Sequence, residues 1–120
     1  MSTSWREYQE SAANFFRRLG LSAQIESEVD GARCRHAIDV YVEGQLYGIP
    51  FKWIIECKAW KSSIPKEKVM ALGAIVQDVG ADRGFLLSES GFQSGALRAA
   101  HNTNITLSSL EALGVTQIRP

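Results

Sequence analysis

The chain has 120 residues, enough for one compact domain covering 1–120 and too few for two. A hydrophobic fraction of 45% supports a real core, while 13 basic residues balance 13 acidic ones. That neutrality argues against a protein that coats nucleic acid through its overall field, and leaves room for local basic patches around a carboxylate-bearing site.

Cys34 and Cys57 are the two cysteines, far apart and without metal-ligand spacing, and Cys57, inside an apolar run, reads as a reduced, buried thiol. No apolar stretch approaches the roughly 18 residues of a membrane span. The opening MSTSWREYQE is polar and unlike a signal peptide, which makes a cytoplasmic protein with no membrane partner the expectation.

Residues 4–19 carry Trp5, Tyr8, Ala12, Phe15, Phe16 and Leu19 at the helical period. Ser4 can cap that helix with Glu7 completing a capping box, and Gly20 can stop it. At 23–29, Ala23, Ile25, Ser27 and Val29 alternate with Gln24, Glu26 and Glu28, as in a strand with one wet face. A second strand spans 36–43, with Ile38, Val40 and Val42 expected on one face and Ala37, Asp39 and Tyr41 on the other. Two glycines and a proline make 44–50 a loop. A third strand, 51–60, is apolar in its middle (Trp53, Ile54, Ile55), as a strand covered on both faces would be.

Pro65 can open a second helix whose buried face is Val69, Leu72, Ile75, Val76 and Val79, ended by Gly80. A strand at 83–87, a turn at 88–91 and a helix at 92–101 carrying Leu97 and Ala100 follow. A short strand at 105–107 and a helical turn at 110–113 complete the chain. Helix, three strands, helix, strand, helix, strand predicts an α/β fold, a mixed five-stranded sheet flanked by helices.

The chemistry concentrates on the third strand. Glu56 and Lys58 are two apart and share a face, which places a carboxylate and an ammonium in an otherwise apolar strand. Charges there are costly unless paired or bound to an ion. If the second and third strands form a hairpin, Asp39 converges with Glu56 at one end of the sheet. Two convergent carboxylates suit a hard divalent cation such as Mg2+, with Mn2+ as substitute, completed by water and substrate phosphate. Lys58 could then polarise a water or offset developing charge, and the Cys57 carbonyl could complete the coordination.

Asp39 followed by Glu56-x-Lys58, after a helix ending in Leu19-Gly20, resembles the PD-(D/E)xK nuclease superfamily, and more narrowly the Mrr-type restriction endonuclease domain. The segments 36–40, 54–58, 80–88 and 91–96 carry the resemblance in order. It implies a restriction-endonuclease-like three-layer sandwich, magnesium-dependent hydrolysis of DNA, and Asp39, Glu56 and Lys58 as the catalytic core. The family commonly has a further acid on the first helix; here that position falls on Gln9, which is kept as a site candidate. Glu10 is read as solvent-facing. Ile38 stands where the family's proline would precede Asp39.

His36 lies three before Asp39, on the Ile38 face of an ideal strand, and reaches a metal there only through a bulge or bend. Lys52, Lys61, Lys66 and Lys68 flank the active strand and could meet DNA phosphates. Trp60 could line a DNA cleft or cap the core, with core packing the expected role. The turn at 88–93 precedes a helix N-terminus, where amides can hold a phosphate or simply be capped. The leading reading is a DNA endonuclease of restriction or defence type. Alternatives are a junction-resolving nuclease and a silent DNA-binding or assembly module on the same fold. Two-strand cutting suggests a homodimer, and sequence specificity is expected in another domain or subunit.

Overall fold

A computed structural model of the chain describes residues 3–115. Its elements are α1 (Thr3–Arg18), β1 (Ser22–Asp30), β2 (Arg35–Leu46), β3 (Ile49–Lys58), α2 (Lys66–Val79), β4 (Arg83–Ser88), α3 (Ser94–Ala100) and β5 (Ile105–Ser108). The five strands lie in chain order in one mixed sheet. β1, β2 and β3 pair antiparallel, and β4 and β5 add parallel to β3. Parallel neighbours need crossover connections, which α2 and α3 provide.

The helices divide between the two faces. Tyr8, Ala12, Ala13 and Phe16 of α1 pack on Val40, Val42, Ile55, Cys57 and Leu87. Phe16 is fully buried, edge-on to Phe85 and Trp53 at 5.4 and 6.0 Å between ring centres. On the other face Val69, Leu72 and Val76 of α2 and Ala96 and Ala100 of α3 cover Ile54, Leu86 and Ile105. Ile54 and Ile55 therefore enter opposite cores, so β3 is covered on both faces as its apolar run predicts. The result is the three-layer sandwich expected from the sequence.

Several local expectations are corrected. The 44–50 stretch is no loop: the β2–β3 ladder continues through Gly44↔Phe51 and Gln45↔Pro50 to Leu46↔Ile49. Only Tyr47 and Gly48 turn, both at positive φ (52° and 80°), the type I′ geometry that matches strand twist. Pro50 is tolerated because β4 joins β3 only from Trp53 onward, leaving no ladder on that side to break. β3 also ends at Lys58, so Trp60 lies beyond it. α1 begins at Thr3, which places Ser4 within the helix rather than at its cap; the Ser4 side chain lies outside the described residues. α3 is confined to 94–100, where Ala96 and Ala100 are buried and Leu97 is exposed. The turn at 110–113 is present, closed by Leu113 N–H donating to the Ser109 carbonyl at 3.0 Å.

The correction that matters most lies in β2. Ile38 joins the α2 core while Val40 and Val42 join the α1 core, although an ideal strand would put all three on one face. The alternation breaks at Asp39. Across the ladder from it, between the Ile25↔Val40 and Ser27↔Ile38 pairs, Glu26 has φ of 51°. Positive φ is uncommon away from glycine, and here both strands of the hairpin change face at the same level.

Candidate active site

Where β2 changes face it also leaves β3. The last β2–β3 pair is Val40↔Ile55, whereas β1 stays with β2 as far as Asp30↔Arg35 and β3 stays with β4 as far as Lys58↔Ser88. The sheet is thus split at one end, with Asp39 and Glu56 facing each other one position past the last pair. The Asp39 carboxylate bridges the split, its Oδ2 accepting a hydrogen bond from the Cys57 N–H at 2.8 Å.

Burial pushes the Asp39 carboxyl above its ordinary value. The Cys57 amide opposes that, the neighbouring Glu56 charge adds to it, and Lys58 and Gln9 counter it. Lys58 Nζ lies 2.7 Å from Glu56 Oε2, with both side chains mostly shielded from solvent. The Cys57 thiol is buried and pushed well up by desolvation, which suits a packing role for the side chain on the α1 face.

Gln9 projects from α1 toward the same place. It is fully buried, and neither its amide nitrogen nor its oxygen has a hydrogen-bond partner of good geometry. Its neighbour Tyr8 donates its hydroxyl to Glu89, whose carboxylate also accepts from the Leu110 N–H at 2.8 Å. Burial and the Glu89 charge push the Tyr8 hydroxyl well up. This clamp fixes α1, and with it Gln9, over the split in the sheet. Glu10 is exposed and pairs with Arg17 at 3.6 Å.

These observations agree with the comparison of the whole sequence with known families, which matches residues 1–114 to a restriction endonuclease family, Mrr_cat. The chain belongs to that family. Among solved structures, this family member is similar to a crystal structure of a protein of unknown function, at 20% identity and a TM-score of 0.74 over 89% of this chain and 58% of that one. It is also similar to the DNA modification-dependent restriction endonuclease AspBHI, at 14% identity, a TM-score of 0.65, and coverage of 89% of this chain and 29% of that one. A third similar structure is the MspJI restriction endonuclease in complex with a 27-mer oligonucleotide, at 14% identity and a TM-score of 0.59, covering 92% of this chain and 27% of that one. These likenesses establish the restriction-endonuclease-like fold. The chain spans little more than half of the first of these proteins and under a third of the other two. No curated protein matches it.

The remaining expected residues divide. Trp60 is 39% exposed and so is no core plug; the Lys58 and Lys68 ammoniums lie 5.6 and 5.2 Å from its ring centre. Lys61 and Lys66 are exposed just beyond it. Lys52 does not join them: it pairs with Glu43 four positions before Glu56, roughly 13 Å back along the strand at about 3.3 Å per residue. His36 turns away from Asp39, its Nε2 lying 2.7 Å from Asp78 Oδ2 on α2. The turn at 88–91 is held by its own serines, Ser88 Oγ to Ser90 Oγ at 2.9 Å and Ser90 Oγ donating to the Ser62 carbonyl at 2.8 Å. Sequence pattern misses Glu89 and Asp78. An acid inside the apolar stripe of α2 is a signal that could have found Asp78; Glu89 sits in a polar turn with no such signal. Among the described residues no helix is long and apolar enough to cross a membrane.

Proposed function

We propose that the chain is a single catalytic domain that hydrolyses DNA phosphodiester bonds with a divalent cation, magnesium or in its place manganese. The observation that carries this is the split sheet, which sets Asp39 against Glu56 with the Lys58 ammonium 2.7 Å from the Glu56 carboxylate. The residues fit a hard cation. Asp39 and Glu56 supply carboxylate oxygens, the Cys57 backbone carbonyl lies between Glu56 and Lys58, and the buried Gln9 amide has polar atoms still to satisfy. A cation bound there would lower the pKa of a water and offset charge on the phosphorus.

The chain's own groups divide the remaining work. The Cys57 N–H favours the charged form of the Asp39 carboxylate, partly offsetting the cost of burial. Lys58 orients the Glu56 carboxylate, and its ammonium is placed to meet negative charge developing on a phosphate. Lys61, Lys66 and Lys68, with the Trp60 ring, form the rim that would receive the DNA backbone. Lys52 is left out of that surface. Cytoplasmic location, homodimer formation for two-strand cutting, and a specificity domain or subunit elsewhere belong to the same proposal. The neutral Gln9 favours one second reading, a silent DNA-binding module on this fold.

Cleavage of supercoiled plasmid in magnesium or manganese tests the proposal. Nicking or linearisation by wild type is expected, with Glu56→Ala and Lys58→Ala each losing on the order of 10²–10³-fold in rate. Intact plasmid with every metal while DNA is still bound would favour the silent module.

A further inference from the structure

At the tip of the β1–β2 hairpin, beyond the point where β2 leaves β3, lies a second group of polar side chains. Residues 31–34 connect β1 to β2 and fold over the last turn of α2. There the Ala32 N–H donates to the Asp78 carbonyl at 2.8 Å, and the Arg33 N–H donates to Asp78 Oδ1 at 2.9 Å. Gly31 permits this approach, since a Cβ there would stand 2.2 Å from Asp78 Oδ2. Under the connection, Cys34 Sγ, His36 Nε2 and Asp78 Oδ2 gather with all ligand atoms within 4.8 Å of one another.

The arrangement is not a nucleophile relay. In such a relay the imidazole uses one nitrogen for the thiol and the other for the acid. Here a single nitrogen, His36 Nε2, faces both Cys34 Sγ at 3.5 Å and Asp78 Oδ2 at 2.7 Å. One N–H cannot serve both acceptors well, so the three atoms point to a common centre rather than along a chain. Thiolate, imidazole and carboxylate are the donor set of a borderline-soft ion in tetrahedral geometry. Zinc bonds of about 2.3 Å to sulfur and 2.0 Å to nitrogen place those atoms about 3.5 Å apart, which is the Sγ–Nε2 separation found. The Nε2–Oδ2 pair would open by about 0.7 Å to admit the ion. Asp78 is 5% exposed as a side chain while Cys34 is exposed, so the site is anchored from below and reached from solvent.

We propose that Cys34, His36 and Asp78 form a second cation site, for zinc or a similarly borderline divalent ion, which ties the β1–β2 connection to the end of α2. A water would take the fourth position. Binding is ligand exchange without redox change: the Cys34 thiol gives its proton to solvent, the His36 imidazole ligates as the Nδ1–H tautomer with its Nε2 proton exchanged through solvent, and the His36–Asp78 hydrogen bond is replaced by two bonds to the metal. The site is independent of the nuclease proposal, and Asp39 takes no part in it.

The test uses the metal-free full chain and zinc alone, in equilibrium dialysis, with cobalt as spectroscopic substitute. Asp39→Ala, which removes a ligand of the other proposed cation site, is expected to retain one zinc per chain. Cys34→Ser should bind it more weakly by over about tenfold, the least that loss of even an outer-shell partner costs. Cobalt should show thiolate-to-metal charge transfer in wild type and not in Cys34→Ser. Zinc should also slow modification of the exposed Cys34, the buried Cys57 serving as internal reference. Circular dichroism establishes that Cys34→Ser is folded. Absence of zinc binding, equal binding by folded Cys34→Ser, or loss in Asp39→Ala alone overturns the proposal.

Discussion

Asp39 and Asp78 are two carboxylates withdrawn from water, each beside the β1–β2 hairpin, and their surroundings have opposite consequences. Asp78 is held by a hydrogen bond to His36 and by the backbone N–H groups of Arg33 and Cys34, which together bring its carboxyl below the usual range. Burial takes the Asp39 carboxyl above that range, with the Glu56 carboxylate adding to the rise and the Cys57 N–H, Lys58 and Gln9 offsetting it only in part. Without metal, the chain's own donors favour the charge on Asp78, whereas burial disfavours the charge on Asp39. A buried acid short of donors marks a functional site more reliably than burial alone.

Removing the satisfied acid should have the largest effect on stability. Asp78→Ala strips the Arg33 and Cys34 amides of their acceptor and His36 of its partner. Its melting temperature should fall further than that of any Gln9, Asp39 or Lys68 variant, with faster hydrogen exchange at those two amides. Unchanged melting and exchange would mean that the connection is held by other contacts.

The Asp39 side should respond in the opposite sense. Gln9→Leu removes buried polar atoms that lack a hydrogen bond of good geometry and is expected to stabilise the metal-free protein by about 1 kcal/mol while slowing DNA cleavage. Chemical denaturation reads the first effect and plasmid nicking the second. Faster or equal cleavage would remove Gln9 from the site.

Asp39→Asn should raise stability without metal, because it removes a charge that burial disfavours. The pH dependence follows from the signs. Because folding raises the Asp39 carboxyl above 3.8, the charged form costs stability as pH rises through the raised value. The advantage of Asp39→Asn is therefore present at neutral pH and vanishes below pH 3.8. Asp78 runs the other way: its contribution is full above 3.8 and is lost as pH falls through the lowered value. Melting curves against pH check both.

The smallest effect is expected at the rim. Lys68→Ala removes a rim charge and one cation–π contact to Trp60, so DNA affinity should weaken slightly and the salt slope should fall by about one unit. Lys52→Ala, far along β3, should leave the slope unchanged.

Much of this is legible in the sequence, for physical reasons. The period of apolar residues in α1 and α2 and the uninterrupted apolar run of β3 report directly which faces are buried. Two-residue spacing alone puts Glu56 and Lys58 on one face. Legibility fails where tertiary contact overrides local pattern. Nothing in residues 36–42 announces that the strand changes face at Asp39, so alternation assigns Ile38 to the wrong core and measures His36 against the wrong acid. Tyr47-Gly48 is hidden inside a glycine- and proline-containing stretch that reads as loop, although Gly44 serves close packing against Leu21 and Phe51. Trp60 reads as core because bulk and aromaticity usually signal burial, whereas its neighbours are two ammonium groups.

If Asp39, unlike Asp78, awaits a hard cation, manganese should bind at it. Manganese binding to wild type, Asp39→Asn and Cys34→Ser, followed by paramagnetic resonance, tests this most directly. A bound ion is expected in wild type and in Cys34→Ser, and its loss in Asp39→Asn. Equal binding by wild type and Asp39→Asn would be the contradiction, because the carboxylate whose charge burial disfavours would then have no part in holding the metal.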